Sequence, residues 1–329
     1  MPGEKMNLFI SSPVYIPSNF FKLVWLTKHT AMQNFPDFIR QNPGMIKQFS
    51  LHEILFLNLE CPPTKTEDWA EHNCFVHIIH GKKHIYTRHE SFYFQPGSTV
   101  FIKKGALTVE TIGPDFFCGF LFYIPDDYLR SVVREMKALP TPLQKNLFVR
   151  KQIIPVETTP MMQAFYESLH PYFTSDRNPS PHLLELKFKE LLLNIISNEN
   201  NLELNAYLSE LANSSNDELP DIMDKNCLYN LELHEYARLC HRSLSSFKRD
   251  FYKTFNMPPG RWLLNKRLEN ACVLLQKTQL AVKDVMLESG FNNMTHFDKV
   301  FKKHFYVSPL QYRREKFQSS LRPLYVQQF

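Results

Sequence analysis

The sequence predicts an α+β chain in which a β-rich region with appended helices precedes an all-α region. Three observations carry this. Between about Phe49 and Ile124 apolar and polar residues alternate in short runs broken by Gly81, Pro96-Gly97, Gly105 and Gly113-Pro114, the pattern of a small antiparallel barrel or sandwich. After Pro125 the apolar spacing changes to a helical period. In the last third one aromatic pattern occurs twice: Phe247, Phe251, Phe255, Pro259 and Trp262 return fifty residues later as Phe297, Phe301, Phe305, Pro309 and Tyr312.

With 329 residues the chain has room for two or three domains, and its Phe, Leu and Ile content can supply each with a core. The formal charge is +5, unevenly placed. From Asn216 onward 18 Lys and Arg stand against 12 Asp and Glu, leaving 20 against 21 before it, so the excess lies with the repeat, as a surface facing phosphates requires. The six cysteines (Cys61, Cys74, Cys118, Cys227, Cys240, Cys272) are scattered without a CxxC pair and read as reduced, buried thiols, which fits the cytosol. The apolar run near Leu191 to Ile196 is interrupted by Lys187, Lys189, Glu190 and Asn194, far short of a membrane span, and no signal sequence opens the chain, so a cytoplasmic protein is expected.

In order, strands are expected over Ile54 to Leu59, Cys74 to Ile79, His84 to Thr87, Ser91 to Phe94, Thr99 to Ile102, Leu107 to Thr111 and Phe117 to Phe122. Helices follow over Tyr128 to Met136, Pro160 to Tyr172 and Pro181 to Ser197. In the last of these Leu184, Phe188, Leu191, Leu192 and Ile195 make a stripe, either packed on the barrel or forming a dimerisation seam; periodicity does not separate the two. Asn213-Ser214-Ser215-Asn216-Asp217 is polar and aperiodic and marks a linker, taken as 213–218, between a first domain over 1–212 and a second over 219–318, with a tail over 319–329.

The second domain reads as two helix-turn-helix units. In the first, Leu233, Tyr236, Ala237 and Cys240 make a buried face, the chain turns at His241-Arg242, and Ser243 caps a helix from about Leu244 to Phe255. In the second, Val282, Val285 and Met286 make the matching face, Gly290 supplies a turn, and Asn293 caps a helix from about Met294 to Phe305. Opposite the Phe stripes lie Ser245, Lys248, Arg249 and Tyr252 in one helix and Met294, Thr295, Asp298, Lys299 and Lys302 in the other. These are the faces that would enter a major groove.

Ser243 to Phe251, Pro258-Pro259, Arg267-Leu268, Ala271, Gly290-Phe291, Phe297, Phe301-Lys302-Lys303, Pro309 and Tyr312-Arg313 together resemble the signature of AraC-type transcription regulators, over about Leu219 to Lys316. The resemblance implies a seven-helix domain in which a long helix, about Gly260 to Gln276, holds two reading heads against successive major-groove segments of double-stranded DNA, about one helical turn apart. It implies base reading by Ser245, Lys248 and Arg249 in the first head and by Met294, Thr295, His296 and Lys299 in the second. Phosphate contacts fall to Arg242, Lys253, Lys302 and Lys303. Met286 stands where the family usually has Ala, and Tyr306 where it usually has Gly. Ser, Met and Thr discriminate bases less than a bidentate Arg, so much of the specificity is expected from Lys248, Arg249 and DNA shape.

In the β region, Glu71 to Gly81 followed by Tyr93 to Ile102 resembles the cupin-like barrel of AraC-type sensors; with Pro160 to Ala164 and Leu186 to Leu192 it is most similar to the ExsA-type subgroup. That resemblance implies a homodimer, an activator working with RNA polymerase, and control by a small-molecule or protein effector. His72, His77, His80, His84 and His89 raise a metal-dependent cupin enzyme as the alternative reading. The cupin ligand pattern is not met, however, and no nucleophile-base pair or phosphate loop is evident, so no cofactor, metal or catalysis is expected.

Overall fold

The computed structural model describes residues 32–43, 46–51, 53–136, 151–213 and 219–320. The start of the chain, most of the expected linker (214–218) and the end of the tail (321–329) lie outside the described residues.

Two sheets face each other in the first part of the chain. One runs β1 (Gln33–Asn34), β4 (Lys65–Ala70), β9 (Gly105–Ile112), β6 (Lys82–Tyr86), β7 (Ser91–Phe94). The other runs β11 (Ile153–Val156), β8 (Thr99–Ile102), β5 (Asn73–His80), β10 (Phe117–Ile124), β3 (Ile54–Cys61), β2 (Gln48–Leu51). Pairing is antiparallel apart from the short β1–β4 contact. Successive side chains of a strand point to opposite faces. Accordingly Leu55, Leu57 and Leu59 enter the core between the sheets, while Ile54 and Phe56 enter a second core behind them.

That second core is closed by α2 (Asp126–Met136), α3 (Pro160–Thr174), α4 (Pro181–Ile196) and α5 (Leu202–Asn213), while α1 (Phe35–Gln41) closes the first. A sheet covered on both faces needs strands apolar on both faces, hence the unbroken run Phe117 to Ile124 in β10. The helices start where the sequence caps them: Thr159 accepts from the Met162 amide and Ser180 from the Leu183 amide, each ahead of a proline in the first turn.

Of the two readings of the α4 stripe, packing is the one realised. Leu184, Phe188, Leu191, Leu192 and Ile195 are all buried against β strands and neighbouring helices, so the expected seam is not on the surface. The outward face of α4 carries Leu186 (63% exposed) and Leu193 (46%) instead.

The last third is α6 (Leu219–Asn226), α7 (Leu233–Leu239), α8 (Leu244–Phe255), α9 (Pro259–Lys277), α10 (Val282–Glu288), α11 (Met294–Phe305) and α12 (Pro309–Ser320). The long α9 belongs to two cores at once. Its Trp262 and Leu263 pack with α6, α7 and α8, and its Leu268, Ala271, Cys272 and Leu275 pack with α10 and α11. The first of these cores also contains Trp69 of β4 and Ala106 of β9, so it is continuous with the β region.

Candidate nucleic-acid interface

The two heads are built alike from the Phe stripe outward. In α8, ring centroids are 5.6 Å apart for Phe247–Phe251, 4.5 Å for Phe251–Phe255, and 5.8 Å at 79° for Phe251–Trp262. In α11 the corresponding values are 5.6 Å for Phe297–Phe301, 4.7 Å for Phe301–Phe305, and 5.5 Å at 82° for Phe301–Tyr312. Edge-on aromatic contacts of this kind fix each helix's rotation about its axis, and therefore which residues it presents outward.

Caps set where each helix starts. Ser243 Oγ accepts from the Ser246 amide at 3.2 Å, and Asn293 Oδ1 from the His296 amide at 2.8 Å. The turns need left-handed backbone, at His241 (φ 51°) in the first head and Gly290 (φ 79°) in the second. A side chain at 290 would also meet the Leu228 carbonyl oxygen at 2.6 Å, so this turn requires glycine. Both helices end on a left-handed residue, Asn256 (φ 51°) and Tyr306 (φ 65°).

This rotation leaves Ser245, Lys248, Arg249 and Tyr252 of α8 exposed, with Thr295, His296, Asp298, Lys299, Lys302 and Lys303 of α11; Lys253 is exposed as well. Two expected site residues are placed differently. Met294 is half-buried against the core of the second head. Arg242 is not a freely projecting cation: its Nε donates to Asp250 Oδ2 at 3.3 Å and its Nη1 to the Cys240 carbonyl at 3.0 Å. Asp250, which the sequence reading passed over, also accepts from Arg249 Nε at 3.2 Å and Ser246 Oγ at 3.3 Å.

The β region grips the first head through a polar cluster that the sequence did not disclose. Arg238 of α7 donates to both oxygens of Glu71 (2.9 and 2.7 Å), pairs with Asp37 at 2.8 Å, and lies over the Trp69 ring at 5.2 Å. His241, in the turn itself, reaches Asp126 at 3.4 Å, and Asp126 also accepts from Asn73 at 2.6 Å and pairs with Lys104. Burial alone would raise the pKa of Asp126; the hydrogen bonds from His241 and Lys104 and the Lys104 charge outweigh it and hold this carboxyl well below the carboxylate range. Asn226 Oδ1 accepts from the Ala106 amide at 2.7 Å, an approach left open by Gly105, where a side chain would meet Asn226 at 3.0 Å. On the second head, Arg88 pairs with Glu288 of α10, and with Glu67 at 3.5 Å.

The histidines that raised a metal site are dispersed. His77 is stacked on Tyr166 at 3.7 Å and bonded to Thr99, and burial pushes its pKa down to about 4. His80 stacks on Phe116, His84 on Tyr93, and His72 on His241.

Comparison with known proteins matches residues 73–207 to the ExsA N-terminal regulatory domain and 236–315 to a helix-turn-helix domain family. The virulence regulon transcriptional activator VirF of Yersinia enterocolitica is 23% identical over 266 residues, covering 80% of this chain and 97% of its own. The HTH-type transcriptional regulator ExsA of Pseudomonas aeruginosa is 24% identical over 241 residues, covering 73% and 85%. The chain belongs to the AraC-type transcription regulators. Among solved structures, ToxT of Vibrio cholerae aligns over 79% of this AraC-type chain and 98% of its own, at 14% identity and a TM-score of 0.36. The regulator's two halves thus correspond to a regulatory domain of the ExsA type and a DNA-binding domain, and its relatives are regulators rather than enzymes.

Proposed function

We propose that this AraC-type regulator is an activator that reads two successive major-groove segments with α8 and α11, under control of its N-terminal part. The observation that carries the reading is the duplicated ring geometry with both opposite faces exposed: two heads of the same build, held on one rigid helix, suit a ligand that repeats. Base contacts are assigned to Ser245, Lys248, Arg249, Thr295, His296 and Lys299, with Met294 at the edge, and phosphate contacts to Lys253, Lys302 and Lys303, with Arg242 in a supporting place. A phosphate-dominated interface makes affinity fall steeply with salt.

The functional division is taken as a regulatory unit over 1–212 and a DNA-binding unit over 219–318. The Arg238 and His241 contacts join them, so an effector, small molecule or protein, would act by favouring the docked or the released arrangement, which demands different affinity for the two. Homodimerisation is assigned to the outward α4 face with Leu186 and Leu193, and RNA polymerase is the expected partner at a promoter. A cytoplasmic setting accords with these roles; among the described residues no helix is long and apolar enough to cross a membrane.

The test is selection of bound duplexes from a random-sequence library by the full-length protein. Two half-elements about one turn apart are expected, with Arg249→Ala and Lys299→Ala each weakening binding to the selected duplex by about 1 to 3 kcal/mol. Unchanged binding in both variants would refute the placement of the reading faces.

A further inference from the structure

The two heads share a scaffold but differ at most outward register positions, and one of these differences changes how a side chain is held. Asp250 in α8 corresponds to Val300 in α11, because the repeat offset is fifty residues. Val300 is half-buried and packs on the core of the second head. Asp250 instead sits at the centre of a surface network. Its Oδ1 accepts from Arg249 Nε (3.2 Å), and its Oδ2 accepts from Arg242 Nε (3.3 Å) and Ser246 Oγ (3.3 Å). Arg249 Nη2 closes the ring by donating to Ser246 Oγ at 3.1 Å. Desolvation opposes ionisation, but the hydrogen bonds from Arg249, Arg242 and Ser246 and the Arg249 charge together outweigh it and hold the Asp250 carboxyl below its ordinary range.

A carboxylate beside a phosphate-facing helix opposes binding to any DNA, so its presence needs a compensating effect. The geometry of Arg249 supplies one. Nε and Nη2 form the side fork of the guanidinium, and both are engaged within the protein. Among the described residues the end fork, Nη1 with the remaining N–H of Nη2, enters no hydrogen bond, on a side chain that is still 66% exposed. An end-on fork is the donor pair that matches O6 and N7 of guanine. A guanidinium fixed before binding loses less freedom when the base is met, and it is less able to swing onto a nearby phosphate.

We propose that Asp250 is a positioning residue that holds Arg249 for end-on recognition of a guanine, so that the first head is the main source of base discrimination while the second, lacking any counterpart, contributes chiefly backbone affinity. This rests on α8 being a reading helix, and the experiment separates the two claims.

The full-length protein, Arg249→Ala, Asp250→Asn, Ser246→Ala and Lys299→Ala are each used to select duplexes from a random-sequence library, and affinities for the wild-type-selected duplex and a scrambled duplex are compared across salt. The half-element flattened by Arg249→Ala is the one read by the first head. Asp250→Asn is expected to lose a guanine from that half-element and leave the other intact. Its preference for selected over scrambled duplex should fall about tenfold, while its salt dependence steepens by up to about one unit of slope as a negative charge is removed. Ser246→Ala, which leaves the charge unchanged, should show a smaller loss at the same guanine. In an Arg249→Ala background, Asp250→Asn should change the preference no further, a coupling that a merely structural role would not produce.

An intact guanine and unchanged preference in both Asp250→Asn and Ser246→Ala, with Arg249→Ala impaired, would overturn the positioning role alone. No effect of Arg249→Ala would overturn the reading face on which it rests. Circular dichroism of each variant verifies the fold, and Ser246→Ala decides the matter if Asp250→Asn does not fold.

Discussion

The first head and the second head are near-copies in their aromatic cores and unlike in their surroundings. The first shares its core with Trp69 and Ala106 of the β region and is clasped at α7 and its turn by Glu71, Asp37 and Asp126. Among the described residues, the core of the second contains no β-region side chain, and the Arg88–Glu288 pair joins its surface to the β unit. Duplication therefore preserved what each head needs in order to be a head, and left its attachment free to diverge. The β region thus meets the first head through a shared core and the second through a surface ion pair.

Six substitutions can break or sharpen this comparison. If the cores are equivalent, Phe251→Ala and Phe301→Ala should each cost about 3 to 5 kcal/mol in denaturant unfolding, since both rings are fully buried. A large gap between them would show that the β region props up the first head.

Acid probes the platform under the first head. Burial lowers the pKa of His77 to about 4, so the stability it contributes is present above about pH 6.5 and lost as pH falls toward 4. Burial raises the pKa of Asp68 to about 6, against a hydrogen bond from Thr66, so its contribution is present in acid and lost as pH rises through 6. The two oppose each other, with His72, also lowered by burial, adding to the His77 side. Relative to wild type, His77→Phe should make stability rise on acidification and Asp68→Asn should make it fall, each by roughly 2 kcal/mol, read from urea midpoints at pH 6.5 and 4.5. Midpoint shifts of the same sign in both variants would contradict this.

At the clasp the expected effects are smaller. Arg238→Ala strands Glu71, yet the arginine is about a third exposed, so a loss of about 1 to 3 kcal/mol is expected, seen as faster amide exchange in α7. Glu288→Ala removes a pair whose carboxylate is half-exposed and should cost under about 1 kcal/mol, with exchange in α10 little changed. Equal effects at the two sites would erase the asymmetry of attachment.

Legibility followed the range of the interactions. The α8 and α11 helices were readable to their ends because capping residues, Phe spacing and terminating residues are all local. Strand β4 was missed because Lys65 to Ala70 carries one large apolar residue, Trp69, and takes its strand conformation from pairing with β9. The α4 stripe was visible, but its destination was not. Leu191 and its neighbours would have the same spacing facing a partner as facing β strands. Asp250 was legible as a residue and illegible as a hub, since acidic residues on helices are common and its three donors, from Arg242, Ser246 and Arg249, become evident only in space.

The sequence by itself determined that a β unit precedes two helix-turn-helix heads, where the heads begin and end, and which faces they turn outward, because periodicity, caps and turns act within a few residues. The tertiary structure decided the second core behind the β sheet, the clasp of Arg238 and His241 on Glu71, Asp37 and Asp126, and the presentation of Arg249. The core and the clasp depend on groups as much as 167 residues apart in the chain, a range that leaves no local pattern to read; Arg249 is held by near neighbours, Asp250 and Ser246, through side-chain conformations that spacing alone does not specify.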